Sequence, residues 1–142
     1  MGDAAAFEIM SRFGKAFFGK DPLLLAGAIT EDAEWHRDSG PDAPHGRVFR
    51  GGGLQGIAVK DVLNENQRFN DGVIRALGED SIVMPYLLSG KRRGGPESSL
   101  RGVELITVWD SRICRKDVFH KQMTAAWTVR KGCFSRGARA CP

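Results

Sequence analysis

The spacing of apolar residues changes once along the chain, and this change most constrains the fold. In the first part, Ala6, Met10, Phe13 and Phe17 recur at the three-to-four spacing that is typical of one buried helix face. Beyond Asn70, short apolar runs alternate with turn sequences, which indicates strands joined by hairpins. Helices that precede an antiparallel sheet predict an α+β fold, here a cone in which a curved sheet wraps the helices.

Three helices are expected before the sheet. Asp3 is predicted to cap the first helix, Gly19-Lys20 to end it and Asp21-Pro22 to open the second. A third helix is predicted from about Leu54 to Phe69, after a loop at Ser39–Arg50. The predicted strands are Glu34–Asp38, Val73–Leu77, Ser81–Ser89, Leu100–Trp109 and Arg112–His120, and Thr124–Val129 is either a last strand or a helical turn.

The excess positive charge lies in the C-terminal tail rather than in the body of the chain. Arg130, Lys131, Arg136 and Arg139 account for the whole formal net charge of +4. We therefore expect one domain over residues 1–129, a basic disordered tail at 130–142, and no nucleic-acid partner, because no binding motif accompanies the charge.

Several classes of protein are not expected. The three cysteines form no CxxC pair, and no apolar stretch is long enough to span a membrane or act as a signal, which favours a cytoplasmic protein. The histidines show no metal-ligand spacing, so no metal site is expected. The glycines at Gly51–Gly53 lack a phosphate-loop pattern, and no cofactor is expected.

Four passages, in their order and spacing, resemble the nuclear-transport-factor-two-like, or SnoaL-like, superfamily. They span roughly residues 5–121 and are FGKAFFGKD (Phe13–Asp21), TEDAEWHRD (Thr30–Asp38), GRVFRGGGLQGI (Gly46–Ile57) and VWDSRICRKDVF (Val108–Phe119). The resemblance implies an α+β cone around a pocket for an apolar, oxygenated small molecule, and a homodimer. Polyketide cyclases, limonene epoxide hydrolase and ketosteroid isomerase share this cone.

Ketosteroid isomerase chemistry is not expected from this sequence. The resemblance places Phe13 where that enzyme has a tyrosine, Arg37 where it has its base, and Leu105 where it has its second oxyanion donor. None of the three side chains can take the corresponding role.

Asp117 is the first candidate catalytic residue, because SnoaL-like cyclases and limonene epoxide hydrolase keep an acid on the last long strand. It alternates with Ile113 and Phe119, so a regular strand would turn all three toward the cone. A carboxylate in an apolar pocket suits general acid or base chemistry. The alternative is an ion pair with Arg115 or Arg37, or a solvated outer position.

Three further residues are candidates for polarising the substrate oxygen. Arg37 could orient Asp117 or bind an anionic group, His36 could serve as an acid or a base, and Tyr86 is the one phenolic donor. Each could equally be structural, at a strand end, against a helix or in the core. The predicted pocket lining is Phe13, Phe17, Trp35, Met84, Leu88, Trp109 and Phe119, all of which core packing would explain as well.

The expected function is a small-molecule enzyme that uses cofactor-free acid–base chemistry for cyclisation, isomerisation, or epoxide or ester hydrolysis. One alternative is a non-catalytic module that binds a hydrophobic small molecule in the same cone. Another is a dimerisation domain whose own side chains fill the cone.

Overall fold

The computed structural model describes residues 1–38, 48–51, 68–91 and 97–122. The helices are α1 (Asp3–Phe18) and α2 (Pro22–Ala28). The strands are β1 (Ile29–His36), β2 (Val48–Arg50), β3 (Arg68–Asn70), β4 (Arg75–Leu77), β5 (Ser81–Lys91), β6 (Glu97–Trp109) and β7 (Arg112–Gln122). The predicted α+β class is confirmed.

The helix ends follow local chemistry, with one exception. Asp21 Oδ1 accepts hydrogen bonds from the backbone N–H groups of Leu23 and Leu24, and Pro22 opens α2 as predicted. The predicted cap at Asp3 is wrong, because Gly2 occupies that position. The Asp3 carboxylate instead accepts from the Ala76 N–H at 2.8 Å, which ties α1 to β4.

The seven strands form one sheet in the order β2-β1-β7-β6-β5-β3, with β4 also paired to β5. The pairing of β1 with β7 is parallel and the other pairings are antiparallel. The inner face packs on α1 and α2 to form the core. Its buried members include Ala6, Met10, Phe13, Phe17, Leu25, Trp35, Ile82, Ile106, Ile113 and Val118.

Strand boundaries differ from the prediction where pairing across the sheet decides them. Strand β1 begins at Ile29 rather than Glu34, because Ile29 pairs with Ile113 of β7. The predicted loop contains β2 at its end, and the predicted third helix cannot reach Phe69, because β3 pairs with β5 there. Residues 54–67 of that helix, the Thr124–Val129 segment and the tail lie outside the described residues.

A β-bulge in β7 determines which side chains face inward. Val108 pairs with Ile113 but Thr107 pairs with Arg115, so Cys114 is an extra residue on β7. An extra residue in one strand exchanges the two faces beyond it. The side chains of β7 that face inward after the bulge are Lys116, Val118 and His120, and those that face outward are Arg115, Asp117 and Phe119.

None of the helices in the described parts of the chain has the length and apolar character needed to cross a membrane.

Candidate functional site

Tyr86, Gly102 and His120 lie side by side across three strands on the inner face. Gly102 of β6 pairs with Tyr86 of β5 on one side and with His120 of β7 on the other. A Cβ atom on Gly102 would lie only 2.6 Å from Tyr86 Oη and closer still to the ring. The missing side chain therefore lets Tyr86 extend across β6 toward His120.

A hydrogen-bonded chain joins Tyr86, His120 and Asp38. Tyr86 Oη lies 2.9 Å from His120 Nε2, and His120 Nδ1 lies 2.8 Å from Asp38 Oδ2, just beyond the end of β1. An ionised carboxylate can only accept, so His120 Nδ1 carries the proton. In neutral His120, Nε2 then accepts a hydrogen bond from the Tyr86 hydroxyl. Tyr86 is 4% exposed, so this chain is largely closed to water at its inner end.

The environment keeps Asp38 ionised and Tyr86 neutral. The hydrogen bond from His120 lowers the pKa of Asp38, aided by the positive charge of Arg37, whose Nε lies 3.7 Å from Asp38 Oδ1. Burial raises the pKa of Tyr86 well above its usual range, and the negative charges of Glu104 and Asp38 act in the same direction.

Glu104 and Lys116 form a buried ion pair on the same inner face. Glu104 is 2% exposed and Lys116 7% exposed, and Lys116 Nζ lies 3.0 Å from Glu104 Oε1. The ammonium also lies 4.0 Å from the centroid of the Trp35 ring, a favourable cation–π contact. Within the described residues, Glu104 Oε2 has no hydrogen-bond partner. Glu104 therefore connects the Tyr86 end of the face to the Lys116 end.

An apolar pocket reaches Lys116 from the side of the helices. Its enclosed space is small, about 20 Å³, and its mouth is open to solvent. Its lining is Phe13, Phe17, Leu25, Ile29, Ala33, Glu34, Trp35, Ile113 and Lys116. The inner face thus carries a hydrogen-bonded polar chain at one end and a lysine in a mostly apolar pocket at the other.

The chemistry available here is proton transfer by side chains. A carboxylate that fixes a histidine tautomer, next to a neutral phenol, can donate a proton to an oxygen atom or accept one from it. Across the described ranges, no group of three or more His, Cys, Asp or Glu side chains is placed to hold a metal ion.

Comparison with known proteins finds similarity only at the level of structure. No family model and no curated protein sequence matches the chain. An NTF2-like protein from Burkholderia xenovorans superposes with a TM-score of 0.67 at 18% identity, covering 85% of this chain and 92% of the other. The protein has the NTF2-like fold.

Other NTF2-like structures are similar to the same extent. A protein from Xanthomonas campestris proposed to be a polyketide cyclase has a TM-score of 0.65 at 18% identity, covering 84% of this chain and 92% of its own. The epoxide hydrolase/cyclase-like enzyme SalBIII, which acts in pyran ring formation in the polyether salinomycin, has a TM-score of 0.66 at 15% identity, covering 83% and 92%. The fold expected from the resemblance is thereby confirmed.

Two of the four candidate catalytic residues lie at the NTF2-like inner face and two do not. Tyr86 lies in the chain with His120, and Arg37 lies beside Asp38. The expectation that Asp117 faces the cone is wrong, because the bulge turns it outward into a two-point hydrogen bond with Arg115 at 2.8 and 3.0 Å. His36 pairs with Asp117 across the outer face and lies 2.9 Å from Glu34.

The predicted pocket lining is divided in the same way. Phe13, Phe17 and Trp35 line the pocket. Met84 and Leu88 lie on the inner face but pack in the second core cluster around Tyr86. Trp109 is 72% exposed and Phe119 is 53% exposed, so neither lines the pocket. Phe119 lies outside because it follows the bulge, and Trp109 because it ends β6 at a turn.

Sequence reasoning missed Asp38, His120, Glu104 and Lys116 as the polar residues of this face. The alternation rule assigned β7 the wrong face because it assumed a strand without a bulge. One signal was available: Gly102 stands inside a predicted strand, and such a glycine indicates close approach of a neighbouring group.

Proposed function

We propose that this protein is a small-molecule enzyme that transfers protons with its own side chains, without a cofactor, on the inner face of the sheet. The observation that carries the proposal is the part-buried Asp38–His120–Tyr86 chain, with its contacts of 2.8 and 2.9 Å. A core that contributed only stability could be formed by apolar side chains. It would require neither three hydrogen-bonded polar groups nor a glycine that makes room for them.

Each member of the chain has a distinct role. Asp38 remains ionised and fixes His120 with its proton on Nδ1. His120 Nε2 takes up and releases the proton that is transferred to or from the substrate. When Nε2 is protonated it donates to Tyr86 Oη, and the Tyr86 hydroxyl hydrogen is then free to bond a substrate oxygen. The proton thus passes from His120 through Tyr86 to that oxygen, while Tyr86 ends as the neutral phenol that its environment favours.

The surroundings of Tyr86 favour an apolar, oxygenated substrate. The ring of Phe69 lies 5.0 Å from that of Tyr86, and the ring of Phe18 lies 5.9 Å from that of Phe69. Phe18 and Phe69 are both exposed, which leaves an aromatic surface beside a buried phenol. Such a surface binds apolar carbon skeletons, and the phenol directs one oxygen.

The reaction class we propose is ring closure, isomerisation, or hydrolysis of an epoxide or ester. The names of two structural neighbours, a polyketide cyclase and an epoxide hydrolase/cyclase-like enzyme, support this range. Ketosteroid isomerase chemistry stays outside the proposal, since Phe13 carries no hydroxyl and Leu105 lies on the outer face.

The test is turnover of a panel of epoxides, enones and polyketide-like esters by the wild type, His120→Gln and Tyr86→Phe. Glu79→Gln, in an exposed turn, is the matched control. We expect losses of about 10²–10⁴-fold for the two inner variants, the usual contribution of a positioned acid or base. Turnover that survives His120→Gln would overturn the proposal. Saturable binding without turnover, unchanged in both variants, would instead indicate a binding module.

A further inference from the structure

Lys116 is a buried amine that the proposed proton transfer does not use. Its side chain enters a pocket whose other lining residues are apolar except for Glu34, with Nζ 4.0 Å from the Trp35 ring centroid and 5.3 Å from that of Phe13. Lysine is seldom buried to 7% exposure unless its charge is paired or its amine has a use. A primary amine in a pocket of this kind is a nucleophile toward carbonyl carbon.

Glu104 is placed to take part in such a reaction. Its Oε1 lies 3.0 Å from Lys116 Nζ, within reach for proton transfer. Moving one proton from the ammonium to the carboxylate leaves a neutral amine beside a neutral acid, which is the state that attack on a carbonyl requires. In an apolar interior this neutral pair avoids the desolvation cost of two charges.

The charge balance of the pocket indicates what kind of ligand it takes. The charge of Lys116 is balanced by Glu104, and that of Glu34, which also lines the pocket, is paired with Arg50, so a charged ligand would leave one buried charge without a partner. Trp35 Nε1 and Glu104 Oε2 are both buried and have no hydrogen-bond partner in the described part of the chain. An uncharged ligand with one oxygen could accept from the indole N–H, whereas an anion would meet the carboxylate.

We propose that Lys116 forms an imine with a small, uncharged aldehyde or ketone. The Nζ lone pair attacks the carbonyl carbon, and the oxygen takes the proton held by Glu104 to give a carbinolamine. The nitrogen then returns a proton to Glu104, which delivers it to the departing hydroxyl. One water leaves and a C=N bond remains. This site lies beyond the proposed proton-transfer chain and does not depend on it.

The experiment is reductive trapping of the full chain with a limiting amount of propanal and cyanoborohydride, followed by peptide mass mapping. The amount of propyl group found on each lysine gives the relative rate at which that lysine reacts. We expect Lys116 to react about ten-fold faster than Lys15, Lys20 and Lys121, because its amine is desolvated in the pocket. A purely structural ion pair predicts the reverse order, since burial protects an amine from reagent. A rate at Lys116 equal to or below that of these lysines would overturn the proposal.

Three variants test the roles of Glu104 and Lys116. Glu104→Gln should slow trapping at Lys116 by at least about ten-fold, the lower part of the range for loss of an acid–base partner. Glu79→Gln should leave the order of rates unchanged. Lys116→Arg keeps the positive charge beside Glu104 but cannot form an imine, so it should show no trapped product at position 116. The wild-type rate order decides the proposal even where a variant fails to fold, and no step of the measurement requires turnover.

Discussion

Tyr86 is the single tyrosine of the chain, and its side chain is buried away from water. It contacts the His120 ring on one side and the Phe69 ring on the other, over the space left by Gly102. A spectroscopic signal from Tyr86 therefore reports on the part of the inner face where these residues meet.

Tyr86 should resist ionisation in the folded protein. Burial and the nearby carboxylates raise its pKa, so the near-ultraviolet phenolate absorbance should be missing at about pH 10, where free tyrosine ionises. Because the unfolded chain releases this proton and the folded chain keeps it, the free energy of unfolding should fall as pH rises above about 10. Absorbance titration with and without urea measures both. Ordinary titration of the native protein would contradict the buried phenol.

Asp38→Ala should lower the free energy of unfolding by about 1–3 kcal/mol at neutral pH, because it leaves His120 Nδ1 without its acceptor. The pKa of Asp38 is lower in the folded state, so this contribution is complete above about pH 4, its unfolded range, and is lost as pH falls through the folded pKa. Urea unfolding of the variant across pH measures it, with Glu79→Ala as the control. A difference that did not shrink in acid would contradict the assignment.

At the scale of elements, β7 shows how far sequence reasoning reaches. Its existence and approximate bounds were predictable from apolar runs and turns. Its faces were not, because Cys114 adds one residue and nothing in the local sequence marks the bulge. The helix ends at Gly19 and Asp21 were predictable because capping is local. Strands β2 and β3 were not, because they depend on partners far along the chain.

Gly102→Ala in β6 should destabilise the protein by about 1–3 kcal/mol, since the new methyl group would overlap the Tyr86 ring. Gly14→Ala is the matched control: space around Gly14 is open and it lies inside α1, so alanine should stabilise by about 0.5–1 kcal/mol. Chemical denaturation measures both. Equal effects at the two positions would show that Tyr86 does not cross over Gly102.

Asp117→Asn tests the face assignment of β7. Asp117 pairs with Arg115 on the outer face, and partly exposed pairs contribute little, so a loss of at most about 1 kcal/mol is expected. Turnover of any substrate found in the screen should stay within about two-fold of wild type, since the proposal assigns the acid to His120 and Tyr86 rather than to Asp117. A loss as large as that of His120→Gln would place the acid at position 117 after all.

At the scale of the whole molecule, the outer face of the sheet carries apolar side chains where an isolated sheet would be polar. Leu105 and Phe119 are exposed there, beside Asp117 and Arg115. The homodimer expected from the resemblance would place a second copy on this face. Sedimentation velocity should then show a dimer that Leu105→Glu weakens, because a charge buried without a partner opposes association. A monomeric wild type would contradict that expectation.

The parallel pairing of β1 with β7 also bears on the order in which Tyr86, His120 and Asp38 come together during folding. Tyr86 and His120 are 34 residues apart and meet within the β5–β7 meander, whereas Asp38 and His120 are 82 residues apart. Closing the longer loop costs more chain entropy, and non-local pairings form slowly. We therefore expect His120 to meet Tyr86 before Asp38 during folding. A chain whose β1 has not yet paired with β7 contains two of the three groups but nothing to fix the His120 tautomer, so the proposed chemistry would require this pairing.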